Sequence, residues 1–222
     1  MLKLTIILLI SFDLMLAIIF WPAGSFYWLQ GWLYMGLLFS FIVINVVYLI
    51  KVNPELIEHR LKIGKGTKKW DKVWFVLFAP VFLAIYVTAG FDAVRFEWST
   101  MTFCLYLPGI LLFVAGMLLL GWSMGVNPFF EKTVRIQVER GHRVIDTGPY
   151  RYIRHPGYVG FAGWILSAPL LLGSWWAFIP SIISVIALII RTSLEDRTLC
   201  EELSGYVEYS KRVRYRLIPN VW

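Results

Sequence analysis

From Tyr158 to Ile190 the chain runs for 33 residues without a charged or histidine side chain. As one straight helix that run would measure about 50 Å, against a hydrocarbon core of about 30 Å. One upright span is therefore excluded unless it tilts steeply. Pro169, Gly173, Ser174 and Pro180 lie inside the run, and proline and glycine favour a break. The pattern predicts a helical hairpin, Tyr158–Leu172 and Trp175–Ile190, turning at Gly173-Ser174. Each arm is short for a complete crossing, so the hairpin is expected to tilt or to cross only in part.

Four earlier segments are long enough to span: Leu4–Trp21, Trp28–Ile50, Val73–Phe91 and Met101–Val126. The first lacks a small-residue cleavage site before Pro22 and reads as a span, not a cleaved leader. Apolar residues make up 59% of the chain and charged ones 16%. Soluble domains carry roughly 45–50% and about 25%. The fold class expected is all-α: a polytopic membrane protein with four spanning helices, a C-terminal helical hairpin and a cytosolic cap. Residues 1–126 would form the N-terminal transmembrane helices and residues 127–222 the functional region, with the hairpin at 158–190 and an amphipathic tail.

Charge placement tests that topology. The loop Lys51–Lys72 holds seven of the 21 basic residues, Asn127–Gly157 six, Arg191–Trp222 six, and Lys3 one. Only Arg95 falls on the opposite side. A fold-back at 158–190 puts 20 of 21 on one face, as the positive-inside rule requires of the cytoplasmic face. A single crossing would strand the tail's six outside. The net charge of +7 thus follows membrane topology, and no nucleic-acid partner is expected. Two cysteines, Cys104 and Cys200, offer neither a disulfide framework nor a zinc site. No metal ligands are expected.

With the hairpin in place, two polar stretches meet at one face. The first is Gly148-Pro149-Tyr150-Arg151-Tyr152-Ile153-Arg154-His155-Pro156-Gly157-Tyr158. Polar groups this dense at a membrane boundary are costly unless paired, which points to a ligand. Gly148-Pro149 supplies a turn. Tyr150 and Tyr152 supply flat faces suited to an adenine or to the lipid interface. His155 precedes a helix whose first-turn amides are free to donate, although Arg154-His155-Pro156 also suits a plain helix start. The second stretch carries Arg191 and Glu195, four apart on one helical face. They form either a surface ion pair or a ligand-binding pair, with Glu195 on an ammonium or ribose hydroxyls and Arg191 on a carboxylate. The run Glu195–Glu202 reads as helix with a mostly solvated charged face. Tyr206–Trp222 interleaves aromatics with Lys211, Arg212, Arg214 and Arg216, as an interfacial segment does. Glycines three apart in Gly157–Gly163 predict close helix packing. Asp13 and Asn45 lie inside spans, where a functional role and an interhelical hydrogen bond are both open readings and neither residue is assigned to catalysis.

The run His142-Arg143-Val144-Ile145-Asp146-Thr147-Gly148-Pro149-Tyr150, then Arg154-His155-Pro156-Gly157-Tyr158-Val159-Gly160, the apolar hairpin, Arg191 with Glu195, and the terminal Tyr- and Arg-rich segment resemble the isoprenylcysteine carboxyl methyltransferases. The wider group includes membrane phospholipid methyltransferases. The resemblance covers roughly the part from Asn127 onward. It implies S-adenosyl-L-methionine bound between the membrane core and a cytosolic cap. By motif match, His142, Arg143, Val144, Ile145, Tyr150, His155, Pro156, Gly157, Tyr158 and Glu195 would contact the cofactor, with Gln137 the nearest counterpart of a glutamine upstream of the His142 position. Arg191 would face the substrate carboxylate, and Arg191, Glu195 and His155 would form the catalytic set. The acidic run after Glu195 is interrupted by Arg197-Thr198-Leu199-Cys200, a departure from the family's pattern that bears on the acceptor.

The chemistry implied is positioning catalysis, because a sulfonium methyl is already activated. A carboxylate acceptor needs no general base, and an amine acceptor would have only His155 to deprotonate it. The sequence leans toward a lipophilic carboxylate, or a lipidated partner, entering sideways from the bilayer. Two other readings stand beside it. One is a membrane sterol or steroid reductase using NADPH, which shares an Arg-His-Pro-x-Tyr feature. The other is a non-catalytic scaffold binding anionic lipid. Oligomeric state is not legible.

Overall fold

The computed structural model describes residues 2–60 and 66–222, with side chains from residue 5 onward. Lys3, Lys62 and Lys65, three of the basic residues used in the charge argument, lie outside the described side chains. Eight α-helices run in order: α1 Leu2–Ala23, α2 Leu29–Val52, α3 Pro54–Arg60, α4 Lys69–Gly90, α5 Tyr106–Val126, α6 Pro156–Leu172, α7 Phe178–Glu202 and α8 Tyr206–Arg212. No strand occurs among the described residues. Among the described residues, five helices are long and apolar enough to cross a membrane, and α6, with 17 residues, is shorter.

The elements follow from the sequence. Uncharged apolar runs satisfy their own backbone in helices, the economical solution in a lipid solvent. Lys51 closes α2, and Asn53 caps it with its N–H on the Leu49 carbonyl. The Asn53 side chain then donates to the Met124 carbonyl at 3.0 Å. This fastens α3 to the C-terminal end of α5, with Leu56 fully buried beside Met124.

The hairpin is present. Gly173 holds a left-handed backbone (φ 75°) at the end of α6, a conformation that glycine adopts without a Cβ penalty. Of the two expected alternatives, tilt or partial crossing, its contacts disfavour the second. Ser174 donates to Asp92 at 2.6 Å, and the Trp176 amide reaches the same oxygen at 3.2 Å. Asp92 sits just past α4, in a single π-turn over Phe91–Arg95. Arg95 in turn donates to the Trp21 carbonyl at the α1 end. The hairpin therefore runs the full height of the bundle, to the end that carries Arg95. The second arm also extends to Glu202 instead of stopping at Ile190. Polar residues end the apolar run there but do not end the helix.

Helices α5 and α6 lie unusually close. A Cβ at Gly160 would fall 2.5 Å from the Gly116 carbonyl oxygen and 2.7 Å from the Leu120 nitrogen. Small residues let two backbones approach in this way, as the glycine spacing predicted. The core combines Ile19, Tyr34, Ile85, Tyr86, Phe113, Ile165, Leu172 and Leu188. Inside it, the Tyr34 and Tyr86 hydroxyls lie 2.9 Å apart, and Trp164 donates to Tyr34 at 2.8 Å. Asn45 faces Gly121 of α5, but its Oδ1 is buried without a hydrogen bond. Asp13 lies exposed on the outer face of α1, which does not favour its interhelical reading.

Candidate functional site

Where α4, α5, α6 and α7 end together, the segment 127–155 and the tail fold over them as a cap. Between cap and bundle lies a cavity of about 350 Å³, within the range of small-molecule sites. Its cap side carries charged and polar groups such as Glu131, Arg135 and His142. Its bundle side carries Phe75, Leu120, Phe161 and Trp164.

One knot of bonds closes the cap. Arg154 forks onto Asp196 at 2.8 and 2.9 Å and donates to the Val213 and Arg214 carbonyls. Arg216 and Tyr206 donate to the same carboxylate at 2.8 and 2.9 Å, and His155 Nε2 lies 3.1 Å from it. The Arg154 and His155 amides donate to the Tyr215 and Arg216 carbonyls. Burial alone would raise the Asp196 pKa, but four partners, His155, Arg154, Arg216 and Tyr206, hold it well below the usual carboxylate range. Asp196 is 2% exposed, which corrects its reading as part of a solvated face. The exposed Arg197–Glu201 pair at 2.7 Å does fit that reading.

A second knot fixes Arg191. Its Nε donates to Asp71 at 2.8 Å, and its Nη2 donates to the Lys132 carbonyl at 2.7 Å. The guanidinium lies over the rings of Trp74, Phe75 and Tyr158 at 4.6, 4.8 and 5.5 Å. Asp71 is fully buried and also accepts from the Val134 amide at 2.7 Å. One carboxylate thus joins α4, α7 and the cap. The expected surface pair of Arg191 with Glu195 is replaced by this buried one. Glu195 instead accepts from the Tyr158 hydroxyl.

The cap loop is shaped from within. Glu131 takes a two-pronged bond from Arg135, both at 2.8 Å. Gln137 is buried, donates to the Phe129 carbonyl at 2.8 Å, and accepts from Arg140 at 2.6 Å. The His142 ring lies 4.5 Å from that of Phe129, with its Nδ1 accepting from the Gln137 amide at 3.3 Å. Desolvation, then Arg135 and Arg140, pull the His142 pKa down to about 4, so the ring is neutral and its Nε2 carries the proton. The Tyr150 hydroxyl accepts from Asn127 at 3.2 Å, and burial raises its pKa.

Of the residues expected to form the site, Gln137, His142, Arg143, Val144, Ile145, Tyr150, His155, Gly157, Tyr158, Arg191 and Glu195 all line this one cavity. Pro156 does not; it is buried in the first turn of α6. Tyr152 is 69% exposed and turned away. Asp71, Arg60 and Asp196 were missed. Asp71 and Arg191 are 120 residues apart, so no spacing pattern announces the pair.

These features define a polytopic, all-helical membrane protein with a cavity roofed by a loop-and-tail cap. Residues 109–201 match the model of the isoprenylcysteine carboxyl methyltransferase (ICMT) family. It is 30% identical over 91 residues to the protein-S-isoprenylcysteine O-methyltransferase of Schizosaccharomyces pombe, covering 38% of this chain and 36% of that protein. The Saccharomyces cerevisiae protein of the same name is 30% identical over 95 residues, with the same coverage. The chain thus spans about a third of the length of these curated relatives. The fold is similar to that of the eukaryotic intramembrane Ras methyltransferase ICMT, with a TM-score of 0.55 and 18% identity, over 85% of this chain and 65% of that one.

Proposed function

We propose that this protein is an integral-membrane methyltransferase that uses S-adenosyl-L-methionine to methylate a lipophilic carboxylate, of the isoprenylcysteine kind, at a cap facing the cytoplasm. The observation that carries the reading is the single cavity with a polar roof and an apolar floor, which joins the family's motif residues to Phe75, Leu120, Phe161 and Trp164. A charged, aromatic-bearing cofactor and a greasy acceptor need these two environments side by side.

The residues present fit the cofactor. The Glu195 carboxylate suits an ammonium or ribose hydroxyls. The neutral His142 ring, backed by Phe129, offers a flat face and an Nε2–H donor. In the first turn of α6 the Tyr158 and Val159 amides are taken by the His155 carbonyl and Pro156 has no N–H, which leaves the Gly157 amide as the backbone donor there. When bound, the cofactor supplies an activated methyl on a sulfonium. The chain's own work is alignment and exclusion of water. Tyr158 fixes the Glu195 carboxylate, Asp71 fixes Arg191, and the Asp196 knot holds the cap shut above both. His155 acts through that knot, because its ring lies on Asp196. Arg191 keeps Nη1 outside its bonds to Asp71 and the Lys132 carbonyl.

Incorporation of labelled methyl into a panel of prenylated cysteines and lipophilic acids, with calorimetry of cofactor binding, tests the reading. Transfer to a prenylcysteine carboxylate and not to its methyl ester is the expected result. Tight binding of a nicotinamide dinucleotide without binding of S-adenosyl-L-methionine would overturn it.

A further inference from the structure

Arg191 enters the cavity with its charge already matched by Asp71 and with two of its three nitrogens engaged. A substrate anion placed on Arg191 alone would meet a nearly neutral couple. Another cation lines the same cavity. Arg60, the last residue of α3, donates through Nη1 to the Phe130 carbonyl at 3.0 Å, and its guanidinium lies 5.5 Å from the centre of the Phe130 ring. Both partners are neutral, so neither offsets its charge. The charge of Glu131 favours that of Arg60 through space, but this acid is itself engaged by the two-pronged bond from Arg135.

The delivery of Arg60 is rigid. Asn53 ties the start of α3 to the Met124 carbonyl, and Leu56 is buried beneath it. Phe130 is seated against the bare Cα of Gly157, where any Cβ would collide with its ring. The glycine of the His-Pro-Gly turn therefore makes room for the ring on which Arg60 rests. Lys132 lies at the same mouth. The cavity thus gathers positive charge beyond what its acids neutralise, and an anion would relieve that excess.

We propose that Arg60, supplied by the short helix α3 outside the family-matched segment, is the substrate-binding cation that anchors the acceptor's carboxylate, with Arg191 as a neutralised positioning fork beside it. This rests on the methyl-transfer reading for the identity of the acceptor. The electrostatics of the site support it independently. Desolvation, and then the charge of Arg191, lower the Arg60 pKa to about 10, and desolvation followed by Arg60 lowers that of Lys132. Like charges strain against one another here, and a bound carboxylate would raise both values again.

The test uses the full chain in lipid nanodiscs and three probes: farnesylthiopropanoic acid, its methyl ester and S-adenosyl-L-methionine. The wild type is expected to bind the acid about tenfold more tightly than the ester, a difference typical of one charge-assisted anchor. Arg60→Gln should collapse that preference to about unity while leaving ester and cofactor affinities in place, and Arg60→Lys should restore part of it. Retained ester and cofactor binding reports that the variant is folded. An unchanged acid preference in Arg60→Gln would overturn the proposal. So would a selective loss of cofactor affinity, which would assign Arg60 to the methionine carboxylate. Acid preference that depends on Arg60, without any methyl transfer by the wild type, would sink the methyl-transfer reading and leave the anchor standing.

Discussion

Asp71 has no exposure and holds both a guanidinium and the Val134 amide. Its removal leaves Arg191 as a buried cation without its counter-ion. Asp71→Ala should destabilise the protein by about 3–5 kcal/mol in chemical unfolding, a typical cost of breaking one side of a buried pair. Asp71→Asn, which keeps an acceptor oxygen, should cost less. His142 makes a pH prediction. Its folded pKa, about 4, lies below the usual value of about 6.5. Above pH ~6.5 the ring is neutral in both folded and unfolded chains; as pH falls, the unfolded chain binds a proton first. Stability is thus full above ~6.5 and declines down to about 4. His142→Asn should flatten melting temperature across that window, and an unchanged slope would assign the decline to other groups. At this scale the motif residues were legible, because they sit together in sequence. Asp71 and Asp196 were not, because their partners arrive from distant helices and an acid in a charged run looks solvated.

The seam between α5 and α6 is where element geometry is least forgiving. At Gly160 an added methyl meets the backbone of Gly116 and Leu120, so the helices themselves must separate. Gly160→Ala should lower the melting temperature and loosen the cavity above it. Gly36→Ala in α2, where a Cβ meets nothing within 4 Å, should be neutral or stabilising by about 0.5–1 kcal/mol, since alanine suits a helix interior better than glycine. The reverse order of effects in matched unfolding curves would refute the packing account. The sequence announced the hairpin through its length and its proline and glycine breakers. It hid the length of α7, because hydropathy marks where a span leaves an apolar medium and says little about where the helix stops.

At the scale of the whole molecule, the two cysteines report topology. Cys104 is exposed near the Arg95 end, whereas Cys200 is partly exposed at the cap. In intact cells, a membrane-impermeant maleimide should label a variant retaining only Cys104 and spare one retaining only Cys200, with the pattern reversed in inverted vesicles. Labelling of Cys200 from outside would invert the proposed orientation. The proposed orientation rests on charge placement, because basic residues concentrate at one end. The depth of the hairpin was not readable, since it depends on a bond between Ser174 and Asp92 that only the folded chain brings together.

The hairpin pair α6 and α7 is clamped twice, by Asp92 at its tip and by Asp196 at its base. Such a strut cannot slide to follow a thicker or thinner bilayer, so mismatch has to be absorbed by tilt. Tilting α7 swings Glu195 and Arg191 beneath a roof that is pinned to the same helix. The proposed methyl transfer should therefore respond to the lipid composition of the host membrane, and its rate in bilayers of graded thickness would show this.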